Sequence, residues 1–130
     1  MLIYLLIALG GAIGCVARHG LSEAIALRFD APFPAIPWGT LIVNITGSFA
    51  IGFFASYSGR PFANNEMRLF LMTGICGGYT TFSAFSLQTL NLLRVGDGAR
   101  AAAYIAGSVI LCLLGTWLGY MLGTSLSAPR

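Results

Sequence analysis

Seven arginines and four carboxylates are the only formal charges in this sequence, and their placement leaves four long stretches with none. The stretches run for 17 residues (Met1 to Ala17), 29 (Ala31 to Gly59), 25 (Leu69 to Leu93) and 29 (Ala101 to Pro129), and together they hold 100 of the 130 residues. A helix needs about 20 predominantly apolar residues to cross the hydrocarbon of a bilayer. Four spans therefore use up nearly the whole chain. Charged residues make up 8% of the sequence and mean hydropathy is +0.83, whereas an ordinary water-soluble domain carries about 25% charged residues. Lipid, not water, is the expected solvent. The first run is short for a span, so its helix continues past Arg18, which then lies in the headgroups or inside the protein. No basic residue precedes that run, and Ala12-Ile13-Gly14-Cys15 lacks the Leu, Val or Ile expected three positions before a lipoprotein cysteine. It is therefore read as a retained helix and not as a cleaved signal.

Breaker residues set the divisions. Pro32, Pro34 and Pro37 make the first connection a loop, because proline lacks a donor and pushes its predecessor out of the helical region. Pro37 suits the first turn of helix two, beside an interfacial Trp38. Gly59-Arg60-Pro61 ends that helix, and Asn64 or Asn65 can cap the third, where Glu66 complements the positive dipole end. Gly96-Asp97-Gly98 supplies a left-handed stop and a new start. The expected helices cover about 2–27, 37–57, 65–93 and 99–126, in one four-helix transmembrane domain spanning 1–130. In the third, Gly74-Ile75-Cys76-Gly77-Gly78-Tyr79-Thr80-Thr81 puts three glycines and two β-branched threonines in mid-span. Two readings fit: a helix broken inside the membrane, or glycines that let neighbouring helices approach closely.

Several function classes are excluded. All basic residues are arginines, scattered along the chain, and a net charge of +3 forms no patch for nucleic acid. With the N-terminus inside, Arg60, Arg68 and Arg130 face in while Arg28, Arg94 and Arg100 face out, and Arg18 adds one to the outer side. Orientation follows such asymmetry. The near-tie predicts insertion both ways up, and hence pairing of inverted copies. Cys15, Cys76 and Cys112 are odd in number and lie in apolar runs, so they read as small packed side chains; His19 stands alone as an interfacial residue. No nucleophile–base pair, phosphate loop or carboxylate dyad is present, so an enzyme is not expected.

Uncharged polar residues in the spans form strips. Thr40, Asn44, Gly47 and Ser48 share one face of helix two, and Tyr104, Ser108, Cys112, Gly115 and Gly119 share one face of helix four. Phe82, Phe85, Ser86 and Thr89 lie on one side of helix three beyond its glycines, with Ser83 at the flank. Such strips either glue helices together or line a pathway, and composition leaves both open. Gly10-Gly11-Ala12-Ile13-Gly14 and the Gly115, Gly119, Gly123 series fit the packing role. Two phenylalanines one turn apart among hydroxyls and an amide fit the other. Ring edges are positive and can hold a small anion, while weak neutral donors in series let it leave again.

Gly10 to Arg18, Gly39-Thr40-Leu41-Ile42-Val43-Asn44-Ile45-Thr46-Gly47-Ser48-Phe49, and Gly77-Gly78-Tyr79-Thr80-Thr81-Phe82-Ser83-Ala84-Phe85-Ser86 resemble the Fluc (CrcB) fluoride channels along the whole chain. The resemblance implies an all-α membrane protein with four transmembrane helices per subunit and the third broken. It also implies an antiparallel, dual-topology homodimer in the bacterial inner membrane, with two pores that passively export fluoride. By position, Phe82 and Phe85 match the paired phenylalanines at the fluoride sites and Asn44 the donating amide. Ser83, Ser86, Tyr104 and Ser108 match the hydroxyl track, and Arg18 a vestibule arginine. Carbonyls at Gly77 and Thr80, doubled by a partner subunit, would enclose a structural sodium ion. Ala84 departs from the family's threonine, so one hydroxyl of the track is missing. A proton-coupled exporter of the small multidrug-resistance type would need a carboxylate within a span, and none of the four runs contains one. A membrane assembly protein with purely structural strips is the remaining alternative.

Overall fold

A computed structural model describes residues 1–29, 36–57 and 64–127, and every regular element among them is helical. Helix α1 is Leu2–Phe29, α2 is Trp38–Ser56, and α3 covers 65–79 in three joined parts. Those parts are an α-turn (Asn65–Arg68), a π-helical stretch (Leu69–Cys76) and a last α-turn (Gly77–Tyr79). Helix α4 is Phe82–Arg94 and α5 is Gly98–Ser127. By length and apolarity α1, α2 and α5 can each cross a membrane.

Local chemistry explains the ends. Asn64 accepts the Glu66 amide at 2.9 Å and caps α3. Pro37 stands just outside α2, with ψ at 74°, and not in its first turn; its carbonyl accepts Leu41 N at 3.1 Å and so opens the ladder. Gly96 takes φ 82°, which no residue with a Cβ adopts cheaply, and Asp97 Oδ1 then accepts the Arg100 amide at 3.1 Å to start α5. The expected Pro32–Pro34 loop, the Gly59-Arg60-Pro61 stop and Arg130 lie outside the described residues.

Glycine faces hold the bundle together. A Cβ on Gly14 would run into the Ile75 carbonyl, and one on Gly78 into the Gly11 carbonyl, so α1 and α3 meet backbone to backbone. Gly52 and Gly119 do the same between α2 and α5, against the Thr116 and Phe49 carbonyls. The Gly10–Gly14 and Gly115–Gly123 series thus serve packing. The outer surfaces are apolar: only 11% of the most apolar window of α1, and 22% of that of α5, is buried inside the subunit. Leu5, Leu9, Val16, Leu113 and Trp117 are among the exposed side chains, and a face of that composition requires lipid or another subunit.

Candidate functional site

The site grows from the break between α3 and α4. Thr80 (φ −81°, ψ 156°) and Thr81 (φ −150°, ψ 114°) are extended, as β-branched residues favour, so the helix stops at the threonines and not at the glycines before them. The freed backbone is satisfied by side chains. Asn44 on α2 accepts Thr81 N at Oδ1 (2.8 Å) and donates from Nδ2 to the Thr81 carbonyl (3.1 Å), clasping one residue from both sides. Thr81 Oγ1 caps α4 by accepting the Ala84 amide at 3.1 Å and meets Ser83 Oγ at 3.1 Å. Thr80 Oγ1 donates back to the Cys76 carbonyl at 2.9 Å.

These substitutions have a second effect. In a continuous helix Thr81 N would donate to the Gly77 carbonyl and Ala84 N to the Thr80 carbonyl. Both amides are diverted, so the carbonyls of Gly77 and Thr80 lose their helical donors at a break where unwound backbone can accept a cation. Two oxygens are too few to replace the water shell of a sodium ion, but they fit a site completed by a second copy.

Two cavities meet at Thr81. The first, about 370 Å³, is lined by Asn44, Gly47 and Ser48 from α2, by Phe82 and Phe85 from α4, by Ser108 and Cys112 from α5, and by Cys76 and Thr80. No lining side chain carries a formal charge. Ser108 Oγ is the buried side-chain oxygen among the described residues with no hydrogen-bond partner. A buried donor left so is costly unless something fills the space beside it. The Phe82 and Phe85 rings lie 5.3 Å apart at 47°, and Phe85 meets Tyr104 at 5.2 Å and 45°. Phe82 is 79% exposed, so one ring of the pair has a face turned out of the subunit.

The second cavity, about 620 Å³, is polar: Arg18, His19 and Glu23 from α1 face Thr81, Ser83, Ala84 and Gln88. Arg18 Nη2 donates to Cys15 Sγ at 2.9 Å. Tyr104 is buried between the two spaces and donates its hydroxyl to Gln88 Oε1 at 2.9 Å, leaving the two hydrogens of the Gln88 amide for the polar cavity.

The sequence-derived residues therefore divide. Asn44, Phe82, Phe85, Ser108 and Thr80 line the uncharged cavity, and Arg18 and Ser83 line the polar one. Tyr104 touches Phe85 and Gln88 between them. Ser86 is exposed, donates to the Phe82 carbonyl at 2.9 Å and lines neither cavity. Gly77 is exposed on the last turn of α3, and Thr89 is buried and bonded back to Phe85. Thr81 and Gln88 were missed. The signals were available: a hydroxyl just before a helical run is a cap, and Gln88 lies one turn beyond Phe85 on its face.

Comparison with known proteins gives the family and its relatives. The family described as "CrcB-like protein, Camphor Resistance (CrcB)" matches residues 5–120. The chain is 51% identical to the fluoride-specific ion channel FluC of Opitutus terrae, covering 100% of this chain and 98% of that one. It is 52% identical to FluC of Paramagnetospirillum magneticum (95% and 97% covered) and 46% identical to FluC of Thermus thermophilus (95% and 94%).

Proposed function

This chain belongs to the CrcB family, and from that membership we propose that it conducts fluoride through the uncharged cavity, with the polar cavity as its mouth. It is a fluoride-specific ion channel and a multi-pass membrane protein, not an enzyme. The observation that carries the route is the orphaned Ser108 hydroxyl, beside Asn44 and the phenylalanine pair in a space without formal charge. Fluoride is small and strongly hydrated, so entry requires donors that replace water. Ser108 Oγ–H, the second Asn44 Nδ2 hydrogen and the ring edges of Phe82 and Phe85 offer partial positive charge without a fixed cation, which would hold the ion too tightly to release it. Arg18 and the Gln88 amide gather the anion at the mouth.

The fourth crossing in this reading is the broken element formed by α3 and α4. The exposed ring of Phe82 and the exposed Gly77 belong to an interface with an inverted second copy. That pairing would make two pores and set the Gly77 and Thr80 carbonyls of both subunits around a structural sodium ion, which supplies positive charge at the centre and takes no part in conduction. Flow is passive, out of the cytoplasm.

The test is efflux from liposomes read with a fluoride electrode beside a chloride electrode. Fluoride leaves and chloride stays behind, and Phe85→Ile, which keeps apolar volume but removes the ring edge, falls to the level of protein-free vesicles. Wild-type vesicles as tight to fluoride as empty ones overturn the function, and undiminished flux in Phe85→Ile overturns the ring-edge route.

A further inference from the structure

The uncharged cavity contains more than hydroxyls and rings. Cys76 from α3 and Cys112 from α5 both line it, although they are 36 positions apart in sequence. Each cysteine sits one turn from a hydroxyl residue in its own segment, Cys76 from Thr80 and Cys112 from Ser108, and all four residues line the same space of about 370 Å³. Neither cysteine is in a disulfide, and Thr80 has its hydroxyl turned away onto the Cys76 carbonyl. Ser108 Oγ, 94% buried by residue and without a partner, points to a ligand here independently of the sulfurs.

We propose that Cys76 and Cys112 form a two-sulfur site for soft, two-coordinate d10 metal ions, mercuric ion foremost, inside the uncharged cavity. The chemistry suits the surroundings. Soft thiolate ligands select soft metals over the hard cations that carboxylates and carbonyls bind. Mercuric chloride is itself neutral, so it enters an apolar space without the penalty that keeps charged ions out. One HgCl2 and two thiols then give a neutral bis-thiolate and two HCl: two mercury–sulfur bonds form, two mercury–chlorine bonds break, and each thiol proton leaves with a chloride. No oxidant or reductant is required. A zinc ion would keep two further ligand positions, and the cavity provides no His, Asp or Glu to fill them. Ser108 Oγ supplies at most a weak third contact.

The consequence for transport rests on the fluoride route proposed above: a metal held between Cys76 and Cys112 sits beside Ser108 and Phe85 and closes the conduit. The experiment keeps the two claims apart. Dimers purified with Cys15→Ala, which removes the exposed third thiol, are titrated with mercuric chloride. Bound metal and its first shell are read by elemental analysis and X-ray absorption. One mercury per subunit with two sulfur neighbours is expected, falling to one sulfur neighbour in Cys76→Ser and in Cys112→Ser. Both variants are first shown to elute as the parent does. A single sulfur neighbour in the parent, or unchanged two-sulfur binding in either variant, overturns the site. Efflux is then measured on the same samples. Block that the serine variants relieve supports both claims, whereas undiminished fluoride efflux with the two-sulfur complex formed sustains the metal site and removes this cavity from the conduction route.

Discussion

A primary amide has two hydrogens and one strong acceptor oxygen, and at Asn44 the oxygen and one hydrogen are already committed to Thr81. The side chain therefore holds the break open with one edge and has one hydrogen left for an anion. Two variants separate these roles. Asn44→Ala leaves a backbone N–H and C=O unpaired in a part-buried position, where each such loss costs about 1–3 kcal/mol, so the thermal midpoint in detergent falls clearly. A midpoint equal to the parent's would mean that water serves Thr81 as well. Asn44→Asp keeps an acceptor for Thr81 N but sets a carboxylate against the Thr81 carbonyl, and its charge opposes any anion. Fluoride efflux at the level of empty vesicles is expected from it, and continued flux would take Asn44 off the route. The sequence marks Asn44 as a polar residue inside a span, yet its partner lies 37 positions away. A strip shows which face matters, not which peptide that face supports.

At the scale of whole elements, the stretch from Gly74 to Thr81 joins two features that composition could not separate. Gly74 and Gly78 lie against Gly10, Gly11 and Gly14, so the glycines serve contact, while the extended threonines after them make the break. Helix ends were readable because caps are local: Asn64, Gly96 and Asp97 act within a few residues. The π-helical stretch was not readable. Its wider turns, with Gly77 N reaching the Met72 carbonyl, have no propensity signature of their own. The packing assignment makes a paired prediction. Gly14→Ala forces its methyl into backbone atoms of Ile75, Gly78 and Tyr79, which cannot swing aside, and should destabilise the subunit by about 1–3 kcal/mol. Gly20→Ala on the same helix meets nothing within 4 Å and should be neutral or stabilising by up to about 1 kcal/mol. Equal midpoints for the two variants in thermal unfolding would refute backbone-to-backbone contact between α1 and α3.

For the molecule as a whole, one subunit leaves two things unfinished: an exposed Phe82 ring and two carbonyls, at Gly77 and Thr80, without helical donors. The near-tie among arginines suggested an inverted partner from sequence, because weak charge asymmetry is an additive property of loops. The resemblance already implied the carbonyls of Gly77 and Thr80, and the fold adds a physical reason for them, the diversion of Thr81 N and Ala84 N. A cation bound by both copies and by neither alone stabilises the dimer by mass action, about 2.7 kcal/mol when its concentration is a hundred times its dissociation constant. Replacing sodium by a large organic cation at constant ionic strength should therefore raise the monomer fraction, counted by single-molecule photobleaching in dilute bilayers. Gly77→Ala provides the internal control. Its methyl would have only the Met72 carbonyl within 4 Å, at 3.8 Å, so the subunit itself has room for it. A monomer that unfolds normally but pairs less tightly, and that no longer responds to sodium, would place the ion at the subunit junction. A dimer indifferent both to the cation and to that methyl would mean that apolar surface alone holds the copies together.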